Sequence, residues 1–348
     1  MTSPPSSDLR TGAQALQEAT ANSHNRFNGG PNGATQRLQT RAPVGIKVCP
    51  KFKLTRADSI FTMGSCFARN VEHALVESGL RVLPEKFDFP LELLNPKAAE
   101  LARASLNAPL HYRVIVRAVL NKYSPLSMLN EFQRVLEPER YTAPHKGLIQ
   151  VDEDRWYDPQ AKDTGMHGLK DSLTVRFLIE KATQEVRQTS AVFLTLGLTE
   201  TWLDAETGTV LNFAPPPLLI KKWPDRFRFF NATYTDVLDS LEELYQLIVR
   251  KVRPDMKFVV TVSPVPLNTT FTAQDVITAN TYSKSTLRAA ADAFCARHDN
   301  ADYFPSYEMV MSTHPDTAWK ADRIHVTQDV VDFVIGQFIG AYIAPEPA

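Results

Sequence analysis

The stretch Ser59-Ile60-Phe61-Thr62-Met63-Gly64-Ser65-Cys66-Phe67-Ala68-Arg69-Asn70-Val71-Glu72-His73-Ala74-Leu75-Val76-Glu77-Ser78-Gly79 decides how the chain is read. It opens with a short apolar run, Ile60 to Met63, that stops at Gly64. Beyond Ser65 and Cys66 the period changes. Phe67, Val71, Ala74, Leu75 and Ser78 recur at helical spacing, and Gly79 stands where a C′ residue closes a helix. The pattern predicts strand, glycine turn, helix, with two candidate nucleophiles, Ser65 and Cys66, at the helix N-terminus. Unpaired N–H groups and the positive end of the dipole favour a thiolate or an oxyanion there, which predicts a lowered cysteine pKa. The same Gly and Ser would also serve a helix cap without chemistry.

Working outward, the chain has 348 residues, enough for one large α/β core or two smaller ones. Lys and Arg number 38 against 39 Asp and Glu, a formal net charge of −1, so bulk electrostatics does not support nucleic acid or an acidic membrane as partner. Cys49, Cys66 and Cys295 lie far apart, with no CxxC pair and no zinc-like Cys/His spacing. They read as free thiols in a reducing compartment, with no metal and no cofactor expected. The sequence shows no basic-then-apolar leader and no stretch of membrane-spanning length, and the expectation is a cytoplasmic location.

Residues 1–42 are rich in Ser, Pro, Gly, Asn, Gln and Thr, and predict a disordered tail ahead of a globular domain over 43–348. Leu80-Arg81-Val82-Leu83 reads as a second strand, ended by Pro84. The segment from about 87 to 170 is interrupted by Pro90, Pro96, Pro109, Pro125, Pro138, Pro144 and Pro159, and reads as a mostly helical insertion. Short helices are expected near 101–106 and 127–136. This insertion would cover a cleft or cap one edge of the sheet. Leu173 to Val186 predicts an amphipathic helix with Leu173, Phe177, Ile179 and Val186 inward. Strands are expected at 191–196 and 257–262, helices at 235–250 and 273–298, an apolar run at Tyr303-Phe304, and a last helix from near Thr327. The alternation argues for a parallel sheet covered on both faces, a doubly wound α/β fold with ligands outside the carboxyl ends of its strands.

Three junctions fall on that predicted edge: Gly64-Ser65-Cys66, Gly197-Leu198-Thr199-Glu200 and Asp322-Arg323-Ile324-His325. Acyl transfer needs a nucleophile, an imidazole, a carboxylate to orient it, and oxyanion donors. An Asp three residues before a His on a short turn can hold the Nδ1 proton and leave Nε2 for the nucleophile. His73 reads as a surface or packed histidine outside the site. Ser283-Lys284, inside a helix, reads as solvent-facing polarity.

Gly64-Ser65-Cys66-Phe67-Ala68 resembles the signature of the GSCFA domain family, which belongs among the SGNH (GDSL-like) hydrolases. Asn121-Lys122-Tyr123, Gly197 to Trp202, Thr261 to Pro266, Tyr282-Ser283-Lys284 and Tyr303 to Glu308 resemble its other motifs, in order, over about 45–342. The resemblance implies a flavodoxin-like α/β/α sandwich that hydrolyses or transfers ester-linked acyl groups on a small molecule or glycan. Matching glycine to glycine puts Cys66 at the nucleophile's place; shifting by one restores Ser65. Thr199 takes the place of the superfamily's oxyanion-donating Asn, followed by Glu200, and the Asp-x-x-His block is intact as Asp322 and His325. Gly64 and the Cys66 N–H would complete the oxyanion site, with Asn121 as a further donor. The alternative is a non-catalytic member that binds a glycan or acylated metabolite in the same cleft.

Overall fold

The structure is a computed structural model that describes residues 10–30, 32–141 and 147–345. Two helices, α1 (Gly12–Ala21) and α2 (Ala34–Leu38), precede strand β1 (Ser59–Gly64), helix α3 (Cys66–Glu77) and strand β2 (Arg81–Leu83). Helices α4 (Pro96–Ala104), α5 (Pro109–Arg117) and α6 (Pro125–Leu136) follow, then the antiparallel pair β3 (Ile149–Gln150) and β4 (Trp156–Tyr157), and helix α7 (Leu169–Gln184). Strand β5 (Ala191–Leu196) leads into β6 (Glu200–Asp204), β7 (Thr209–Leu211), α8 (Pro217–Lys222) and β8 (Phe227–Asn231). The rest is α9 (Tyr234–Lys251), β9 (Lys257–Val262), α10 (Val276–Arg297), β10 (Ala301–Tyr303), α11 (Ser306–Ser312), α12 (Pro315–Ala318) and α13 (Gln328–Tyr342).

The central sheet has five strands in the order β10-β9-β5-β1-β2, and each adjacent pair is parallel. Side chains alternate across it. Phe61, Met63, Leu194 and Val260 pack with Phe132 of α6, Leu241 of α9 and Phe294 of α10 on one face. On the other face Ile60, Phe193 and Val259 meet Phe67 and Val71 of α3, Met309 of α11 and Phe338 of α13. This is an α/β/α sandwich of flavodoxin-like order. From β1 the chain steps outward to β2, then returns to the opposite side of β1 at β5. That reversal opens a crevice beyond the carboxyl ends of β1 and β5.

The opening stretch folds as its periodicity predicts. Gly79 has φ 77° and closes α3: its N–H donates to Val76 O and that of Leu80 to Leu75 O. The expected inward face of the helix near 173–186 is corrected in part: Ile179 and Val186 are buried as expected. Phe177 is 62% exposed, and the buried stripe of α7 is Ser172, Val175, Arg176, Ile179 and Thr183. Arg176 turns inward because Glu131 and Asp158 neutralise it, an arrangement that apolar spacing does not register.

Two regions differ from the sequence expectation. The described part of the tail contains α1 and α2; α1 buries no side chain but is closed by a capping box between Thr11 and Gln14. Residues 1–9 of that tail and 142–146 of the insertion lie outside the described residues. Between β5 and α9 stands an antiparallel sheet, order β7-β6-β8, that is not among the expected strands, although β8 carries three phenylalanines in five residues. Helix α6, within the segment expected to be an insertion, lies on the main sheet beside α9. Among the described residues, no helix is long and apolar enough to cross a membrane.

Candidate active site

The crevice at the switch point begins with Gly64. A Cβ there would lie 2.5 Å from Thr195 O and 2.6 Å from Thr195 Cβ, so β1 and β5 can approach this closely only with glycine at that position. Ser65 is the N-cap of α3, yet its side chain caps nothing. Its Oγ instead donates to Ser263 Oγ at 3.0 Å, tying the end of β1 to the end of β9 across β5. Cys66 follows as the first residue of the helix and is a free thiol of intermediate exposure.

Ser65, Cys66 and His325 line one cavity of about 690 Å³. Its floor is completed by Gly197 and Leu198 after β5 and by Val265 and Pro266 after β9. The segment between β2 and β5 contributes Asn95, Tyr123, Tyr157 and the run Ala161 to Thr164, so it forms part of the cavity wall. Phe213, Leu267 and Phe271 make another wall apolar. The Phe271 ring packs edge-on against Trp202 of β6 at 5.0 Å between centroids.

His325 stands on the loop between α12 and α13, with its side chain half exposed. Asp322 organises that loop: Oδ1 accepts from the N–H of Ile324 and of His325, and Oδ2 accepts from His325 Nδ1 at 2.7 Å. The His325 ring N–H, followed by those two backbone N–H groups, holds the Asp322 carboxyl far below the ordinary carboxylate range. The carboxylate therefore fixes the imidazole's tautomer and leaves Nε2 outward. Among the described residues, the His325 ring makes no hydrogen bond to Ser65 or Cys66.

The expected lowering of the Cys66 pKa is corrected. Burial raises it above its ordinary value; the charges of Lys162 and Lys284, then the N–H groups of Phe67 and Cys66, pull the other way without prevailing. Lys162 is paired with Asp163 at 2.9 Å. Tyr123, half-buried in the cavity wall near Cys66, is pushed well above the ordinary phenol value by desolvation.

Four of the remaining candidates do not line the cavity: Gly64, whose carbonyl accepts from the Lys122 N–H at 2.8 Å, and Thr199, Glu200 and Asn121. Thr199 is buried, with its N–H on Ser283 Oγ at 3.0 Å and its hydroxyl on Asn231 Oδ1 at 2.6 Å. Glu200, at the start of β6, accepts from Thr270 Oγ1 at 2.5 Å and the Phe271 N–H at 2.9 Å, which places the Phe271 ring at the cavity edge. Asn121 is buried behind the wall, where its carbonyl accepts from Asn212 Nδ2 at 2.7 Å. The N–H groups of Gly197 and Leu198 are both spent on Tyr123 O, at 3.0 and 2.8 Å.

The expectation for Ser283 and Lys284 is overturned: both are buried, and they hold the two floor loops. Their helix carries weak amphipathic patterning, and the available signal was the pairing of a serine and a lysine next to Asn280 on one helical face. Among the described residues, no three His, Cys, Asp or Glu side chains are grouped to hold a metal ion.

No curated protein matches the sequence. Among solved structures the chain is similar to the crystal structure of a "putative GDSL-like lipase" from Parabacteroides merdae ATCC 43184, at 12% identity and a TM-score of 0.33, with 84% of this chain and 98% of that chain covered. No activity follows from a likeness of that degree. The family model described as the GSCFA family matches residues 59–338, a span that takes in every strand of the central sheet, the Gly64–Cys66 turn and the Asp322–His325 loop, and the chain belongs to the GSCFA family.

Proposed function

We propose that the protein is an acyl-ester hydrolase or acyltransferase in which Cys66 is the nucleophile. The observation that carries this reading is that Cys66 and an Asp322-oriented His325 line the same cavity. Cys66 Sγ attacks the acyl carbonyl; the carbon–oxygen ester bond breaks and a thioester forms. His325 exchanges protons with the departing and arriving oxygens, and water or an alcohol then cleaves the thioester. Ser65 is less suited, because its hydroxyl is buried and already donates to Ser263. The wall of Phe213, Leu267 and Phe271 suits the acyl chain, and the polar side at Asn95, Lys162 and Asp163 suits a hydroxyl-bearing small molecule or glycan.

A second reading, binding without turnover, is favoured by one observation: the Gly197 and Leu198 N–H groups and both Thr199 donors are spent inside the fold and cannot meet an oxyanion. Incubation with p-nitrophenyl and thioester acyl donors of graded length, followed by peptide mapping, separates the two. The expected result is a hydroxylamine-labile acyl adduct on Cys66 that is lost in Cys66→Ala and slowed in His325→Gln. Absence of an adduct at Cys66 and Ser65 with every donor leaves the binding reading.

A further inference from the structure

Glu200 and Trp202 stand two residues apart on β6, so their side chains leave the same face of the strand, with buried Thr201 on the other. Both reach the loop between β9 and α10. Glu200 accepts from Thr270 Oγ1 at 2.5 Å and from the Phe271 N–H at 2.9 Å, while the Phe271 ring packs edge-on against Trp202 at 5.0 Å between centroids. Phe229, the register partner of Trp202 on β8, completes the cluster at 5.2 Å from Trp202 and 6.0 Å from Phe271. Phe271 is thus held by its backbone and by its ring.

The loop has little else to hold it. Among the described residues, no backbone–backbone hydrogen bond joins residues 264–274 to another segment. The base of the loop is fixed from α10, where Asn280 Oδ1 accepts from the Leu267 N–H at 3.0 Å and Lys284 Nζ donates to Val265 O at 2.7 Å. Its outer half depends on Glu200. Leu267 and Phe271 both line the cavity, and Phe271 is 46% exposed, so much of its surface is left uncovered at the cavity edge. An aromatic side chain fixed in place before a ligand arrives offers apolar contact without the ordering cost of a mobile loop.

We propose that Glu200 is a positioning residue that sets acyl-chain preference, holding Phe271 as the far wall of a subsite for a straight saturated chain. The inference deepens the acyl-transfer reading and rests on it for the chain's direction: the carbonyl end lies at Cys66 and the distal methylenes lie against Leu267 and Phe271. Glu200 itself touches no substrate and acts through Phe271. A carboxylate suits this task because its two oxygens take donors from two adjacent residues at once, and charge-assisted bonds of this kind fix the loop more firmly than neutral ones.

The test is calorimetric titration of the full chain with straight-chain carboxylates from butanoate to dodecanoate, which needs no turnover. Wild-type affinity is expected to rise by about two- to fourfold for each methylene that reaches the wall. Phe271→Ala and Glu200→Ala are each expected to weaken dodecanoate by roughly fourfold to fifteenfold, the worth of one to two methylenes, and to leave butanoate unchanged. The double variant is expected to match Phe271→Ala alone, because Glu200 acts through that ring. Glu200→Gln is expected to keep the chain-length dependence, its amide oxygen accepting from the Phe271 N–H and its NH2 donating to Thr270 Oγ1. In the wild type, hydrogen exchange over residues 264–275 is expected to slow when dodecanoate is added. A wild type that binds all lengths alike or none, or a 264–275 segment that dodecanoate leaves unprotected, overturns the proposal even where a variant fails to fold. An unchanged chain-length dependence in Glu200→Ala, additive losses in the double variant, or a Glu200→Gln loss equal to that of Glu200→Ala overturns it as well. The two readings fail separately. Chain-length dependence that needs Glu200, with no acyl adduct at Cys66, rejects acyl transfer and leaves the subsite; an adduct beside flat carboxylate binding rejects the subsite and leaves acyl transfer.

Discussion

Replacing Glu72 by Gln should cost the fold more than any exposed charge change, and the reason lies in the turn of helix just after Cys66. The Glu72 carboxylate is buried and faces three guanidinium groups: Arg69 on its own helix, Arg117 Nε at 2.7 Å, and Arg113 at 3.3 Å. Arg69 reaches on to Thr62 O of β1 at 3.1 Å, so the cluster fastens α3 to the strand it follows. Two of the three cations, Arg69 and Arg117, are themselves buried, and burial already brings Arg117 down to about 10 with Glu72 in place. An amide of the same shape leaves both without an anion. Breaking a buried pair in this way costs about 3–5 kcal/mol, or roughly two to three and a half decades in the folding equilibrium. With a urea slope of about 3 kcal/mol/M, the unfolding midpoint should fall by about 1 to 2 M. Arg113→Gln is the control: its side chain is partly exposed, and the expected loss is below about 1 kcal/mol. Equilibrium urea unfolding followed by tryptophan fluorescence gives both numbers. A Glu72→Gln loss under about 1 kcal/mol, no larger than that of the control, would refute the claim that this carboxylate is what makes the buried arginines tolerable.

Gly64→Ala should destabilise by about 1–3 kcal/mol, because Thr195 backbone would have to retreat; thermal unfolding measures the loss, and a neutral result would show that β1 and β5 separate easily. Asp322→Asn should lower acyl transfer by roughly 10²- to 10⁴-fold with little change in melting temperature, as the imidazole loses its tautomer lock on an exposed loop. Glu131, which the charges of Arg176 and Lys122 bring down to about 2 against burial, contributes to the acid sensitivity of the fold. Its contribution is present above the ordinary value of 4.5 and is lost as pH falls toward 2, so Glu131→Gln should be less stable at neutral pH yet flatter in an acid titration followed by circular dichroism. Phe271→Ala should raise KM for long acyl donors more than for acetyl donors, a split that a chain-length series of p-nitrophenyl esters would reveal.

Strand, turn and helix over residues 59–79 were legible because one apolar period gives way to another at a glycine, and backbone geometry leaves few alternatives there. The same logic located β2, β5, β9, α9 and α13, whose apolar residues recur at regular intervals. It also placed Ser65, Cys66, Asp322 and His325 at strand ends or on a short turn, since local spacing determines which residues share a junction. It failed wherever burial is decided by a partner distant in sequence. Arg176 faces inward because Glu131 neutralises it, and Phe177 is left outside as a result. Thr199 and Glu200 follow the right strand, yet Ser283, Asn231 and Thr270, each more than thirty residues away, claim their polar atoms. Lys284 shows this most plainly: its place inside a helix predicts a solvent-facing side chain, yet two loop carbonyls hold it buried beneath the cavity. Sequence by itself determined the succession of strands and helices that builds the central sandwich, and the family, because both rest on local periodicity and contiguous motifs. Which polar groups remain free to act at Cys66 was decided only by the tertiary structure, because a hydrogen-bond donor spent on one acceptor is unavailable to another, and those acceptors come from across the chain.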